Sequence, residues 1–409
     1  MIVKKISRLA GVLAALTLSV AASLPLHAEE LNVATAASNW TPVIVNTCFA
    51  PRPFKGSEQQ WHLVYDVTLT NYSHQPSTVQ KFEISGKDAA GNWKVLQTLD
   101  ADALKKIILT LSQNEPTCVL PPGAVSALFI NLDFADKKDV PVALKHRIVF
   151  ESLNPLKEKR IYDYTVAKTI VEDKPAVRIS PPLRGGKWVA AGGFVGVAGH
   201  RQALFPIDNG LHSAQPFAID WVRIDETGHS SHDPKKVTGY ACYGEPVVAV
   251  ADGKIFGVVN KFVDQTPPEA TGSDRFKWAG GNYIVQDIGN GYYAFYAHMK
   301  PGSITVKEGD TVHRGQQIGA VGNTGNTTGP HLHMHITRNP GMLQADGVPY
   351  AFDNFDVLGQ FKNFDTAIEA DMNGTEQHYV DGDFKGPHHD ELIREGFVVD
   401  FGGEHKAAK

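Results

Sequence analysis

The stretch Gly325-Asn326-Thr327-Thr328-Gly329-Pro330-His331-Leu332-His333-Met334-His335 changes character halfway along. Its first half is a Gly/Asn/Thr-rich loop closed by Gly329-Pro330, and its second half alternates imidazole with apolar side chains. Side chains alternate sides along a β-strand, so His331, His333 and His335 share one face, while Leu332, Met334 and Ile336 share the other. The apolar set can pack into a core and leave the imidazoles over a cleft. Same-face neighbours lie about 6.6 Å apart along a strand, so one imidazole can hold a metal ion while the next stands beside it.

Two neighbouring segments carry further candidates. Residues 282–288 read as a strand, Gly289-Asn290-Gly291 as a turn and 292–298 as the return strand, a hairpin on which Tyr292, Ala294, Tyr296 and His298 share a face. Upstream, Ala218-Ile219-Asp220-Trp221 puts a carboxylate among apolar residues, a costly placement unless the charge is paired or holds a cation. Three cysteines are too few for a Cys-ligated zinc cluster, so a transition metal would be held by carboxylates and some of the 17 histidines. No H-E-x-x-H motif occurs.

Beyond these motifs the chain reads as mainly β. At 409 residues it exceeds one ordinary domain, and 42% hydrophobic with 20% charged residues describes a globular protein. A net charge of −5 offers no basic surplus for generic nucleic-acid binding. Lys4, Lys5 and Arg8 precede an apolar run and Pro25, so residues 1–28 read as a secretory signal peptide. No later stretch reaches membrane-spanning length once this segment is removed. Export permits a disulfide, and Cys48–Cys118 is the expected pair. Within 29–175 the set Leu63, Tyr65, Val67, Leu69 alternates with Val64, Asp66, Thr68, as half-buried strands do. Several such strands suggest an antiparallel, immunoglobulin-like β-sandwich, with one short helix at 101–111. This domain holds no catalytic constellation and is read as a spacer or docking domain that can engage a protein partner. Residues 360–409 read as a polar, solvated C-terminal tail.

Between them lies a domain at 176–359, which from about His200 to Arg338 resembles the lysostaphin/LytM-type zinc endopeptidases, family 23 of the metallopeptidases. The resemblance rests on Gly244-Glu245-Pro246-Val247, Ala251-Asp252-Gly253, Gly280-Gly281-Asn282-Tyr283, Tyr296-Ala297-His298 and Gly315-Gln316-Gln317-Ile318-Gly319, and above all on Gly322-Asn323-Thr324-Gly325 with Gly329-Pro330-His331-Leu332-His333. It implies an antiparallel β domain with an open groove, zinc held by Asp220 and His333, and catalytic help from His298 and His331. It further implies an exported, periplasmic or secreted zinc metallopeptidase that hydrolyses peptide bonds in peptidoglycan stems or cross-links. The alternative is a catalytically silent LytM-like module that binds cell wall or regulates a partner hydrolase.

The chain departs from the family pattern at the first zinc ligand. Family members place a histidine four positions before the aspartate, and here that position is Pro216. His212, eight before Asp220, is preferred because a short loop costs less entropy to close; His200, twenty before it, is the other candidate. His200 adjoins Arg201 and otherwise suits the groove near an anionic substrate group, with Asn282, Tyr296 and His335 as further groove candidates. Met334-His335 replaces the aromatic–acidic pair usual after His-Leu-His.

Overall fold

In the computed structural model the described residues are 40–111, 116–154, 156–197, 199–269 and 277–403. The signal-peptide expectation lies outside them. From Thr41 onward the chain forms one compact unit in which two β-rich lobes pack together. Its secondary structure is mainly β, with two α-helices among the described residues.

The first lobe contains two five-stranded sheets. Leu63, Tyr65, Val67 and Leu69 of one sheet meet Phe82, Ile84, Ile148 and Phe150 of the other in a shared core. The alternation is therefore real, but strand Trp61–Asn71 is not half-buried. His62, Val64 and Asp66, on its opposite face, are also buried. That second face lies against the other lobe, where Val64 joins the core of Trp188, Phe194 and Phe217. The expected helix is shorter than the sequence suggested. It spans Ala101–Ile107, capped by the Asp100 carboxylate, and the chain continues as strand Ile108–Thr110. The β-branched and apolar run Ile107-Ile108-Leu109 favours the strand. Cys48 and Cys118 are free thiols rather than a disulfide; Cys118 is buried in that shared core, while Cys48 packs beside Leu109 and Phe129.

The second lobe is organised by a ten-stranded antiparallel sheet with Leu332–Thr337 near its middle, between Tyr293–Ala297 and Ile219–Arg223. Leu332, Met334 and Ile336 are fully buried in the core beneath. The expected solvated tail is corrected here. Strand Phe397–Asp400 pairs with Trp188–Gly192 and with Phe355–Gln360, inside the same sheet. The polar composition of 360–409 concealed a compact apolar set: Phe397, Val398, Val399 and Phe401 are all buried, and Phe401 packs edge-on to Trp221.

Candidate functional site

Register assembles the site. Asp220 stands directly opposite His333 on the adjacent strand, and His333 stands opposite Ala297 on the other side. Directly opposed residues present their side chains on one face, so Asp220 and His333 meet over the sheet while Ile219, Trp221 and Met334 fill the core below. The distance from His333 Nδ1 to Asp220 Oδ1 is 2.8 Å.

His200 completes the group. It lies on a single turn of 3-10 helix, Gly199–Gln202, and its Nδ1–H donates to the Ala218 carbonyl at 3.1 Å. This leaves Nε2 free to approach Asp220 Oδ2 at 3.3 Å. Gly192, on the neighbouring strand, makes the space: a Cβ there would sit 2.6 Å from His200 Nδ1. Ligand atoms of His200, Asp220 and His333 all fall within 4.8 Å of one another. Two imidazoles and a carboxylate are the donor set of a three-ligand zinc site with an open fourth position.

The structure does not bring His212, the preferred candidate, to the group that His200, Asp220 and His333 form. His212 lies in strand Gly210–Ser213, opposite Phe205. The entropy argument failed because the residues between His200 and Asp220 are not a free loop. They are folded into the hairpin Leu204–Ile207 and Gly210–Ser213, which removes most of the closure cost.

His298 and His331 flank the group. Alternation alone would aim His298 toward the core with Tyr296, but its backbone is left-handed (φ 61°), which breaks the alternation at the strand end. Its Nδ1–H donates to the Thr324 carbonyl at 2.7 Å, and the His331 Nδ1–H donates to the Gly329 carbonyl at 2.8 Å. A carbonyl can only accept, so in each neutral ring Nε2 is the bare nitrogen. The two rings lie 4.6 Å apart, and His331 Nε2 is 3.5 Å from Asp220 Oδ1. One cleft is lined by His200, Asp220, His298, His331 and His333. A neighbouring trough shares Asp220 and His331 and runs along Phe364, Ala367 and Ile368 of helix Phe364–Asn373, so the tail also borders the cleft.

The other groove candidates serve the scaffold. Tyr296 is fully buried and faces the core, its hydroxyl donating to Gln286 Oε1 and accepting from the Val250 N–H. The Asn282 side chain is a buried clasp between the backbone at 261–262 and Met299. His335 keeps the histidine face but is covered: it stacks on Phe295, and its Nδ1 lies 2.9 Å from His333 Nε2. Gln215 donates to the same nitrogen at 3.2 Å. The reading of the sequence missed the parts played by Gln215 and Gly192, and it quoted Thr324 only as part of a motif.

The electrostatics follow from this packing. Burial opposes the Asp220 charge, but the His200 and His331 charges and hydrogen bonds from His200 and His333 prevail, holding its carboxyl well below the usual range. Burial would lower the His200 pKa, yet Asp220 raises it above the ordinary histidine value. His298 is driven well below that value by burial, then by the His331 and His333 charges, so it is neutral near pH 7. His333 is lowered, chiefly by burial. Among the described residues Asp225, His229 and His232 also approach one another, but Asp225 already accepts from the N–H groups of Thr227 and His229 and from the Thr227 hydroxyl.

A mainly β scaffold that presents a His/Asp metal-type cluster with two flanking imidazoles defines a hydrolase-like centre. Residues 235–345 match the model of Peptidase family M23. Its sequence is similar to the peptidoglycan DD-endopeptidase ShyA of Vibrio cholerae, 52% identical over 56 residues, which is 14% of this chain and 13% of that one. ShyB of the same organism, also a peptidoglycan DD-endopeptidase, is 39% identical over 137 residues, covering 32% of this chain and 28% of the relative. The match therefore spans less than a third of either relative's length. Among solved structures, the catalytic domain of lysostaphin from Staphylococcus simulans is 24% identical with a TM-score of 0.22, covering 40% of this chain and 88% of that one. His298, His331 and His333 lie within the M23 match, and His200 and Asp220 lie before it.

Proposed function

We propose that this protein is an exported zinc endopeptidase that hydrolyses peptide bonds in peptidoglycan stems or cross-links, acting in the periplasm or after secretion. The observation that carries the reading is the convergence of His200, Asp220 and His333 in one cleft with the bare Nε2 atoms of His298 and His331 beside them. The substrate class is supported by the DD-endopeptidase relatives. Among the described residues no helix is long and apolar enough to cross a membrane.

His200, Asp220 and His333 would hold the zinc ion. Bound there, zinc would supply Lewis acidity, polarising the scissile carbonyl and easing deprotonation of the attacking water. His298, held neutral and with Nδ1 committed to Thr324, offers Nε2 to receive the water's proton. His331 is fixed by Gly329 so that its Nε2 can, once protonated, stabilise the developing oxyanion. A catalytically silent module would have no use for five such side chains in one cleft, and that alternative is set aside.

The reading is tested by digesting purified peptidoglycan with the zinc-loaded protein and resolving the muropeptides. New free peptide ends that appear with zinc and disappear with chelator are expected. Intact cross-links and stems with fully loaded protein would refute it.

The titration of His200 makes a second expectation. Its pKa is raised in the metal-free protein, so below that pKa the ring is an imidazolium that must lose its proton before it can bind a metal. Zinc affinity should therefore rise by about tenfold per pH unit up to the His200 pKa, and level off above it. Calorimetric titrations in buffers of different ionisation enthalpy would report the released proton. A zinc affinity unchanged between pH 5.5 and 7.5 would count against His200 as a ligand.

A further inference from the structure

We infer that Asp66, in the first lobe, is a positioning residue for the metal centre, acting through Arg201 on His200. The inference rests on His200 being a ligand, as proposed above. Asp66 lies on the face of strand Trp61–Asn71 turned toward the second lobe and is fully buried; Arg201, the residue after His200, is equally buried. The two charges pair at 2.8 Å. Removing both from water is costly, and a single partner left behind would be an uncompensated buried charge, so each side chain holds the other in place.

The pair sits in a prepared seat. The Arg201 guanidinium lies over the Phe129 ring, 5.5 Å from its centroid, and Leu204 packs with Leu109, Ala127 and Phe129 of the first lobe. The hydroxyl of Ser213 donates to the second oxygen of the Asp66 carboxylate. One carboxylate therefore holds both the turn Gly199–Gln202 and the far strand of the hairpin that follows, the segment that stands between His200 and Asp220. His200 is held by its Nδ1–H on the Ala218 carbonyl, by Asp220 at its Nε2, by the Ala203 N–H on its own carbonyl, and by the backbone that Arg201 fixes. Proline occupies position 216 in this chain, and the ligand proposed above comes instead from the turn Gly199–Gln202. The first lobe gives that segment its footing. It is thus part of the metal centre's architecture, rather than only a spacer or docking module.

The test is a double-mutant cycle on the whole mature chain, read as the zinc dissociation constant by chelator competition, with circular dichroism to confirm folding. Asp66→Asn should weaken zinc binding about 10–100-fold, the usual scale for losing an outer-shell partner. On a His200→Ala background, where Asp220 and His333 retain weak residual binding, the same substitution should change affinity less than about twofold. Should Asp66→Asn fail to fold, Arg201→Lys enters the same cycle, since it keeps the charge but loses the guanidinium plane over Phe129 and should weaken zinc in the same direction. A folded variant that binds zinc like the wild type would overturn the inference. So would equal weakening on both backgrounds, which would mean that the pair supports the fold alone. An unchanged zinc affinity in His200→Ala by itself would instead show the ligand assignment to be wrong, and the inference would fall with it.

Discussion

Replacing His200 by alanine is expected to weaken zinc binding by more than about 100-fold, beyond the scale of an outer-shell loss, while His212→Ala keeps the metal at full stoichiometry. The two histidines are equivalent in residue type and only twelve positions apart, yet they occupy different surroundings. His200 Nε2 is 3.3 Å from Asp220 and its ring centroid is 4.8 Å from that of His333. His212 stands across a separate two-stranded ladder, near Asp346. Elemental analysis after dialysis, with chelator competition for the affinities, separates the cases. Metal lost from His212→Ala and retained by His200→Ala would reverse the assignment without touching the peptidase reading.

The second large effect concerns catalysis. His298→Ala and His331→Ala should each lower turnover by roughly 10²–10⁴-fold, the scale of lost acid–base assistance, with zinc retained. Both rings have committed Nδ1 to backbone carbonyls, so each presents one prepared nitrogen to the cleft. Both carbonyls are held by the protein: Thr324 is clasped by its hydroxyl to the Asn282 N–H and the Met299 carbonyl, and the Gly329 carbonyl also accepts from the Thr327 hydroxyl. Steady-state rates on a cross-linked peptide, measured alongside metal content, distinguish the roles. If both variants lost zinc as completely as His333→Ala, the two would be ligands and not proton carriers.

The site was unevenly legible. His331, His333 and the core set Leu332, Met334, Ile336 follow from a period of two, which is local and needs no knowledge of neighbours. Asp220 announced itself as a charge among apolar residues, and its partner across the ladder is His333, one of the histidines on the face of that strand opposite the core set. Tyr296 was misplaced because the period was carried one residue too far. The left-handed backbone at His298 reverses which side its ring takes, and that conformation is set by contacts with Gly280 and Thr324, well outside the strand. His335 was misplaced for another reason: parity gives its face correctly, but whether that face is open depends on what covers it, here Phe295 beside it and the backbone at Met342.

What the sequence by itself determined, then, was whatever depends on short-range periodicity and residue chemistry: β-rich lobes, the histidine strand, the buried carboxylate and the donor types suited to zinc. What only the tertiary structure decided was which histidine completes the group, whether the polar tail is solvent or sheet, and what the first lobe contributes. Each of these turns on contacts between residues far apart in the chain. His200 is brought to Asp220 by a folded hairpin and by an ion pair to Asp66, 135 positions earlier than Arg201. Strand Phe397–Asp400 becomes interior by pairing with Trp188–Gly192, some two hundred residues before it. Long-range pairing of this kind is paid for by burial across the whole fold, and it leaves no local pattern from which to read it.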